Sequence, residues 1–166
     1  MNYVASRRVT SAATRDLVVD AFSKGRLCTL RFGDEDLTLD KVGVTSALYP
    51  YSLLALSHDK KVLYGTASSA YPPGSSAARS IAPQPSSATT HSAVHETAFS
   101  PNSGFLYLPD TPGDALWTHD VDPETGAVEF VAKLPASPNS THLCHAVVHP
   151  GGRYLYVMYE GSSEVA

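Results

Sequence analysis

One strand–turn–strand pattern occurs three times along this chain, and it restricts the possible folds more than any other feature. Leu54-Ala55-Leu56-Ser57 leads to Leu63-Tyr64-Gly65, Thr97-Ala98-Phe99-Ser100 to Leu106-Tyr107-Leu108, and Ala146-Val147-Val148-His149 to Leu155-Tyr156-Val157. A polar turn lies between the halves each time: His58-Asp59-Lys60, Pro101-Asn102-Ser103-Gly104 or Pro150-Gly151-Gly152. By subtraction, the anchor tyrosines Tyr64, Tyr107 and Tyr156 stand 43 and then 49 residues apart. Short strands recurring at about 40–50 residues are the mark of β-propeller blades, each a four-stranded antiparallel sheet.

The second unit reads as a whole blade. Its strands are expected at about His95–Ser100, Phe105–Pro109, Leu116–Val121 and Val128–Leu134, with Asp122-Pro123-Glu124-Thr125-Gly126 turning the chain before the last. In that strand Val128, Phe130, Ala132 and Leu134 alternate with Glu129, Val131 and Lys133. This period of two predicts one apolar face packed on a neighbouring blade. Asp16–Phe22, Arg26–Phe32 and Leu37–Val42 read as three further short strands, and no segment has a capped helical period. Residues 71–92 carry Pro72-Pro73-Gly74 and Pro83-Gln84-Pro85 among Ser and Ala. Prolines remove ladder donors, so this stretch is expected to be a loop or insert. The expected organisation is a flexible tail over 1–15 and a partial propeller over 16–166, with 71–92 as a Pro/Ser-rich insert. That gives about two and a half to three blades, too few to close.

Composition sets further limits. Twelve Lys+Arg against sixteen Asp+Glu, a net charge of -4, supply no basic footprint for nucleic acid. No apolar run approaches the roughly 18 residues of a membrane span. Cys28 and Cys144 cannot make a disulfide framework and suit a reducing, cytoplasmic compartment. No secretory segment precedes Asn139-Ser140-Thr141, so that sequon reads as accidental.

The repeat also places a candidate site. Antiparallel neighbours begin and end at the same edge of a sheet. Five residues before the end of the first strand stand Ser52, His95 and Cys144 in the three units, and Glu160 stands eleven after His149. His95, Cys144 and Glu160 are therefore expected on one rim, around the mouth of a central channel. Each also has a simpler reading: a backbone-bonded strand-end histidine, an inert buried thiol and a solvated carboxylate. His142-Leu143-Cys144-His145 with His95 lacks the paired spacing of a zinc site. Strand alternation would let His142 and Cys144 share an ion but would turn His145 away, so no metal site is expected. His149 reads as a turn residue, and Trp117 and the Leu-Tyr pairs as blade packing.

Several of these motifs resemble the lactonase-type seven-bladed β-propellers. They are His95-Glu96-Thr97-Ala98-Phe99-Ser100-Pro101, Phe105–Asp110, Leu116-Trp117-Thr118-His119, Asp122–Gly126 and His149–Glu160. Within that family they are most similar to the fungal 3-carboxy-cis,cis-muconate lactonising enzymes, with 6-phosphogluconolactonases more distant. The match covers less than half of a family member. The resemblance implies an intramolecular lyase or lactone hydrolase that uses no cofactor and no metal. Its substrate is a small molecule bearing carboxylates or a lactone. His95 matches an acid/base residue and Glu160 a second acidic site residue, while Cys144 stands where the family has arginine. With that arginine absent, His142 and His145 are the remaining candidates beside Cys144 for holding a carboxylate, and Arg153 follows a turn and points elsewhere. The alternative is a non-catalytic propeller remnant that associates with itself or a partner through open blade edges.

Overall fold

A computed structural model of the chain describes residues 13–21, 25–47, 51, 53–66, 76–80, 89–91 and 94–166. Fourteen strands, and no helix, are found among them. β1 (Thr14–Asp20), β2 (Arg26–Gly33) and β3 (Thr38–Ser46) form a first sheet. β4 (Leu53–Leu56), β5 (Leu63–Thr66), β6 (Ser76–Ser80) and β7 (Thr89–His91) form a second. β8 (Ala98–Phe99), β9 (Phe105–Asp110), β10 (Ala115–Val121) and β11 (Val128–Pro135) form a third. β12 (Leu143–Val148), β13 (Leu155–Tyr159) and β14 (Glu164–Val165) form a fourth. Every sheet is an antiparallel meander in chain order. The result is an open, partial β-propeller.

The repeat is exact at the level of pairing. Tyr64 lies opposite Ala55, Tyr107 opposite Ala98 and Tyr156 opposite Val147, nine residues back in each case by subtraction. The turns between the paired strands share one construction. The carbonyls of Ser57, Ser100 and His149 accept from the N–H of Lys60, Ser103 and Gly152, at 2.8–2.9 Å. Those three acceptors' partners all take positive φ, at 61°, 59° and 69°. A tight turn closed by a left-handed residue is a standard hairpin solution. The side chains of Ser57 and Ser100 support it by accepting the N–H of Val62 and Phe105 at 3.0 and 2.9 Å. In the third unit His149 Nδ1 accepts from Gly151 N instead, at 3.0 Å, which explains the histidine as a turn residue.

Each junction between sheets has its own apolar core. Leu27 and Tyr51 join the first sheet to the second, with Leu54 and Leu63 against them. Tyr64 from the second sheet packs with Val94, Leu106, Leu108, Val121 and Val128 at the third. Leu116 of the third packs with Leu143, Ala146 and Val157 of the fourth. Tyr64 also donates its hydroxyl to the carbonyl of Gly126 at 3.0 Å, so the Asp122–Gly126 turn is tied to the neighbouring sheet. Gly126 has φ +70°, and a Cβ there would stand 2.9 Å from Val62 Cγ2. Gly126→Ala is therefore expected to cost about 1–3 kcal/mol from crowding, with backbone strain added. Denaturant titration of the variant measures that loss.

The structure agrees with an incomplete propeller and corrects three expectations. The described residues form four sheets, of three, four, four and three strands, and the three strands expected ahead of the first repeat make the first of them. Part of 71–92 is ordered sheet: β6 pairs with β5, and β7 with β6. Pro72, Pro73, Pro83 and Pro85 all fall outside β6 and β7, so no ladder donor is lost. The tail expected over 1–15 ends earlier, since Thr14 and Arg15 already belong to β1, and residues 1–12 lie outside the described residues. Finally, β11 does not pack its apolar face on another blade. Val128 is buried, but Phe130 and Leu134 are 55% and 65% exposed. As the outermost strand of its sheet, β11 rests Phe130 on the rings of Trp117 and His119 instead, with centroids 5.7 and 6.0 Å apart.

Candidate functional site

His95 lies just before β8, held by backbone contacts on two sides. Its N–H donates to the carbonyl of Pro109 at 2.9 Å, and its own carbonyl accepts the Thr66 hydroxyl at 3.2 Å. Its ring reaches the neighbouring sheet, where Nδ1 stands 3.2 Å from the carbonyl oxygen of Cys144 and 3.6 Å from Cys144 Sγ. A carbonyl only accepts, so that contact assigns the hydrogen to Nδ1 and leaves the Nε2 lone pair available as a base.

Cys144 is 7% exposed and sits in a β-bulge. Leu143 pairs with Tyr159 and His145 with Met158, leaving Cys144 as the extra residue of β12. A bulge sets two residues against one and interrupts the alternation of faces. Cys144 and His145 consequently both approach His95: the His95 and His145 rings meet edge to face at 5.1 Å. This overturns the expectation that His145 is turned away. His142 is the residue left out. It is exposed at positive φ, its N–H donates to Asp114 Oδ1, and its ring lies beside Gly161.

Glu160 follows β13, with its N–H on the carbonyl of His142 at 2.9 Å and its carboxylate close enough to the Cys144 thiol for its charge to act on it. Burial pushes the thiol pKa up, and the charges of Glu160 and Glu96 push it further, so Cys144 is a neutral thiol at pH 7. Glu96 was not singled out in the sequence. Its Oε2 accepts the N–H of Ala146 at 2.7 Å and stands 3.1 Å from His145 Nδ1, which orients that ring. Its position immediately after His95 was the available signal, but the bulge that brings His145 to it leaves no trace in composition. Arg153 precedes β13, at the end opposite Glu160, and is exposed. Ser52 lies outside the described residues. A separate cleft of about 610 Å³, lined by Asp59, Tyr64, Phe99, Asp122 and Gly126 among others, occupies the opposite, turn end of the strands. It holds none of the rim residues.

The site thus gathers one imidazole with a free nitrogen, a second imidazole oriented by a carboxylate, a thiol and an exposed carboxylate, all on the rim between two blades. Such an arrangement can move a proton and bind a small polar molecule, and it sits on a partial β-propeller fold.

Residues 73–166 match the model of the family described as lactonase, 7-bladed beta-propeller. The chain belongs to that family. Over 72 residues it is 32% identical to the carboxy-cis,cis-muconate cyclase of Neurospora crassa, a match covering 43% of this chain and 19% of that protein. A muconate cycloisomerase 1 of Cutaneotrichosporon cutaneum is 35% identical over 71 residues, again 43% of this chain and 19% of the relative. Among solved structures, the periplasmic gluconolactonase PpgL of Pseudomonas aeruginosa superposes with a TM-score of 0.70 at 24% identity, over 86% of this chain and 45% of that one. The Swd1 β-propeller domain of Myceliophteria thermophila superposes at 0.63 with 13% identity, over 93% and 52%. These structural likenesses show the fold. The chain spans about half the length of these solved propellers, and its matches cover about a fifth of the curated relatives.

Proposed function

We propose that this chain carries part of a cycloisomerase or lactonase site that acts on a small carboxylate-bearing muconate or lactone. The observation that carries the reading is the meeting of His95, Cys144 and Glu160 on one rim. In the lactone-forming direction a substrate carboxylate oxygen bonds to a conjugated carbon, and the adjacent carbon gains a proton. In the lactone-opening direction Nε2 of His95 takes that proton from carbon as the ring C–O bond breaks and releases the carboxylate; in the lactone-forming direction the resulting imidazolium returns it, and Glu160 is the second acid/base group. The reaction needs no metal. Cys144 contributes shape rather than charge, because a neutral thiol cannot grip a carboxylate as an arginine fork does.

Turnover of carboxymuconate and of simple lactones by the purified chain tests this reading. Installing the missing fork in Cys144→Arg is expected to tighten carboxylate binding about 10–100-fold, the worth of one charge-assisted contact of roughly 1.5–3 kcal/mol. Glu160→Gln is expected to lower turnover. No turnover by any of the three proteins would remove the enzymatic reading.

A second reading, self-association of a propeller remnant, is favoured by the open end sheets. Leu17, Val18 and Val19 of β1 and Leu39, Val42 and Val44 of β3 are all at least 41% exposed. Apolar edge strands of this kind are association sites. Sedimentation at micromolar concentration separates the two states: a clean monomer of 17.6 kDa would reject it.

A further inference from the structure

We infer that His95, Cys144 and His145 form a binding site for one borderline-soft divalent cation, zinc first among them. One ligand atom from each side chain lies within 4.8 Å of the other two, and the His95–Cys144 pair is at 3.6 Å. In a tetrahedral zinc site with bonds of about 2.0–2.3 Å, ligand atoms are about 3.5 Å apart. The trio therefore needs about an ångström of closure at its widest pair, within reach of a side-chain rotation at half-exposed His145.

Three features beyond the spacing support this assignment. The bulge at Cys144 is what brings two consecutive residues of β12 to the same histidine. Glu96 holds His145 through Nδ1, the carboxylate–histidine support that fixes the ring and frees Nε2 for a metal. The charge balance also asks for a cation. Glu96 and Glu160 both face the Cys144 thiol, and among the described residues no lysine or arginine forms an ion pair with either. A thiolate and two imidazoles select zinc, cobalt or copper over magnesium or calcium. Three protein ligands leave a fourth position open, which suits a bound water or a substrate carboxylate. Binding displaces the thiol proton to solvent and takes His95 through Nδ1, so the ring hydrogen moves from Nδ1 to Nε2 and the contact with the Cys144 carbonyl is given up. An occupied site consequently blocks the proton transfer assigned to His95, a consequence that rests on the proposed function, whereas binding itself does not.

Cobalt(II) titration of the full chain tests the site directly. The expected result is saturation at one ion per chain, with thiolate-to-cobalt charge-transfer absorption that zinc displaces and magnesium does not. Cys144→Ser abolishes that absorption, His145→Gln weakens binding, and Glu96→Gln weakens it about 10–100-fold as an orienting residue should. Cys28→Ser, which removes the other thiol, leaves the titration unchanged. Circular dichroism confirms that each variant is folded, and His145→Gln carries the test if Cys144→Ser is not. An absorption band that survives in folded Cys144→Ser, or that disappears in Cys28→Ser, would overturn the site. Zinc that binds at one per chain without inhibiting turnover would retain the site and reject the role of His95.

Discussion

His95→Ala is expected to lower kcat/KM for a carboxymuconate or lactone substrate by about 10²–10⁴-fold, the usual worth of a positioned general acid/base. The loss should fall mainly on kcat, because the imidazole acts on the proton in flight and contributes little to ground-state binding. Folding should survive. His95 is only partly buried, and the bonds that fix its segment, to Pro109 and Thr66, use backbone atoms that alanine retains. Added imidazole should restore part of the rate by filling the space the side chain leaves. Steady-state kinetics of the two proteins, with and without imidazole, give the answer. Equal rates would take His95 out of the chemistry, and a shift confined to KM would make it a binding residue.

Leu106→Ala should cost about 2–5 kcal/mol of stability. Leu106 lies on β9, between β8 and β10, and is fully buried with Tyr64, Val94, Leu108, Val121 and Val128. That cluster draws on two sheets, so a cavity there loosens the junction as well as the blade. For a chain of this length each kcal/mol moves Tm by about 2–4 °C, which predicts a fall of at least several degrees. Leu134→Ala is the matched control. Leu134 is 65% exposed on β11 and should change stability by well under 1 kcal/mol. Similar losses at both positions would contradict the assignment of the core to the junctions.

The repeat made much of the fold legible. Three tyrosines at equivalent offsets marked the second strand of three sheets, and each pairs nine residues back, so the register derived from spacing placed His95 and Cys144 together. Periodicity could not reveal the bulge at Cys144. Alternation assumes an unbroken ladder, and one extra residue brought His145 in and left His142 out. Composition was misleading at 71–92, where prolines flank β6 and β7 without interrupting them. It was misleading again at β11, where a regular apolar face met no covering blade. Both failures have one physical source: a strand's pattern states what it could bury, while its position in the sheet decides what covers it. Glu96 escaped notice because its partners, His145 and the N–H of Ala146, lie some fifty residues away.

The most direct test of the account is the proximity of the His95 and His145 rings, which come from different blades and meet only if the sheets stack in register. Proton NMR of the chain, with the ring signals assigned through His95→Asn and His145→Asn, should show cross-relaxation between these two imidazoles. Strong transfer from His95 to His142, with none to His145, would contradict both the bulge and the rim built on it.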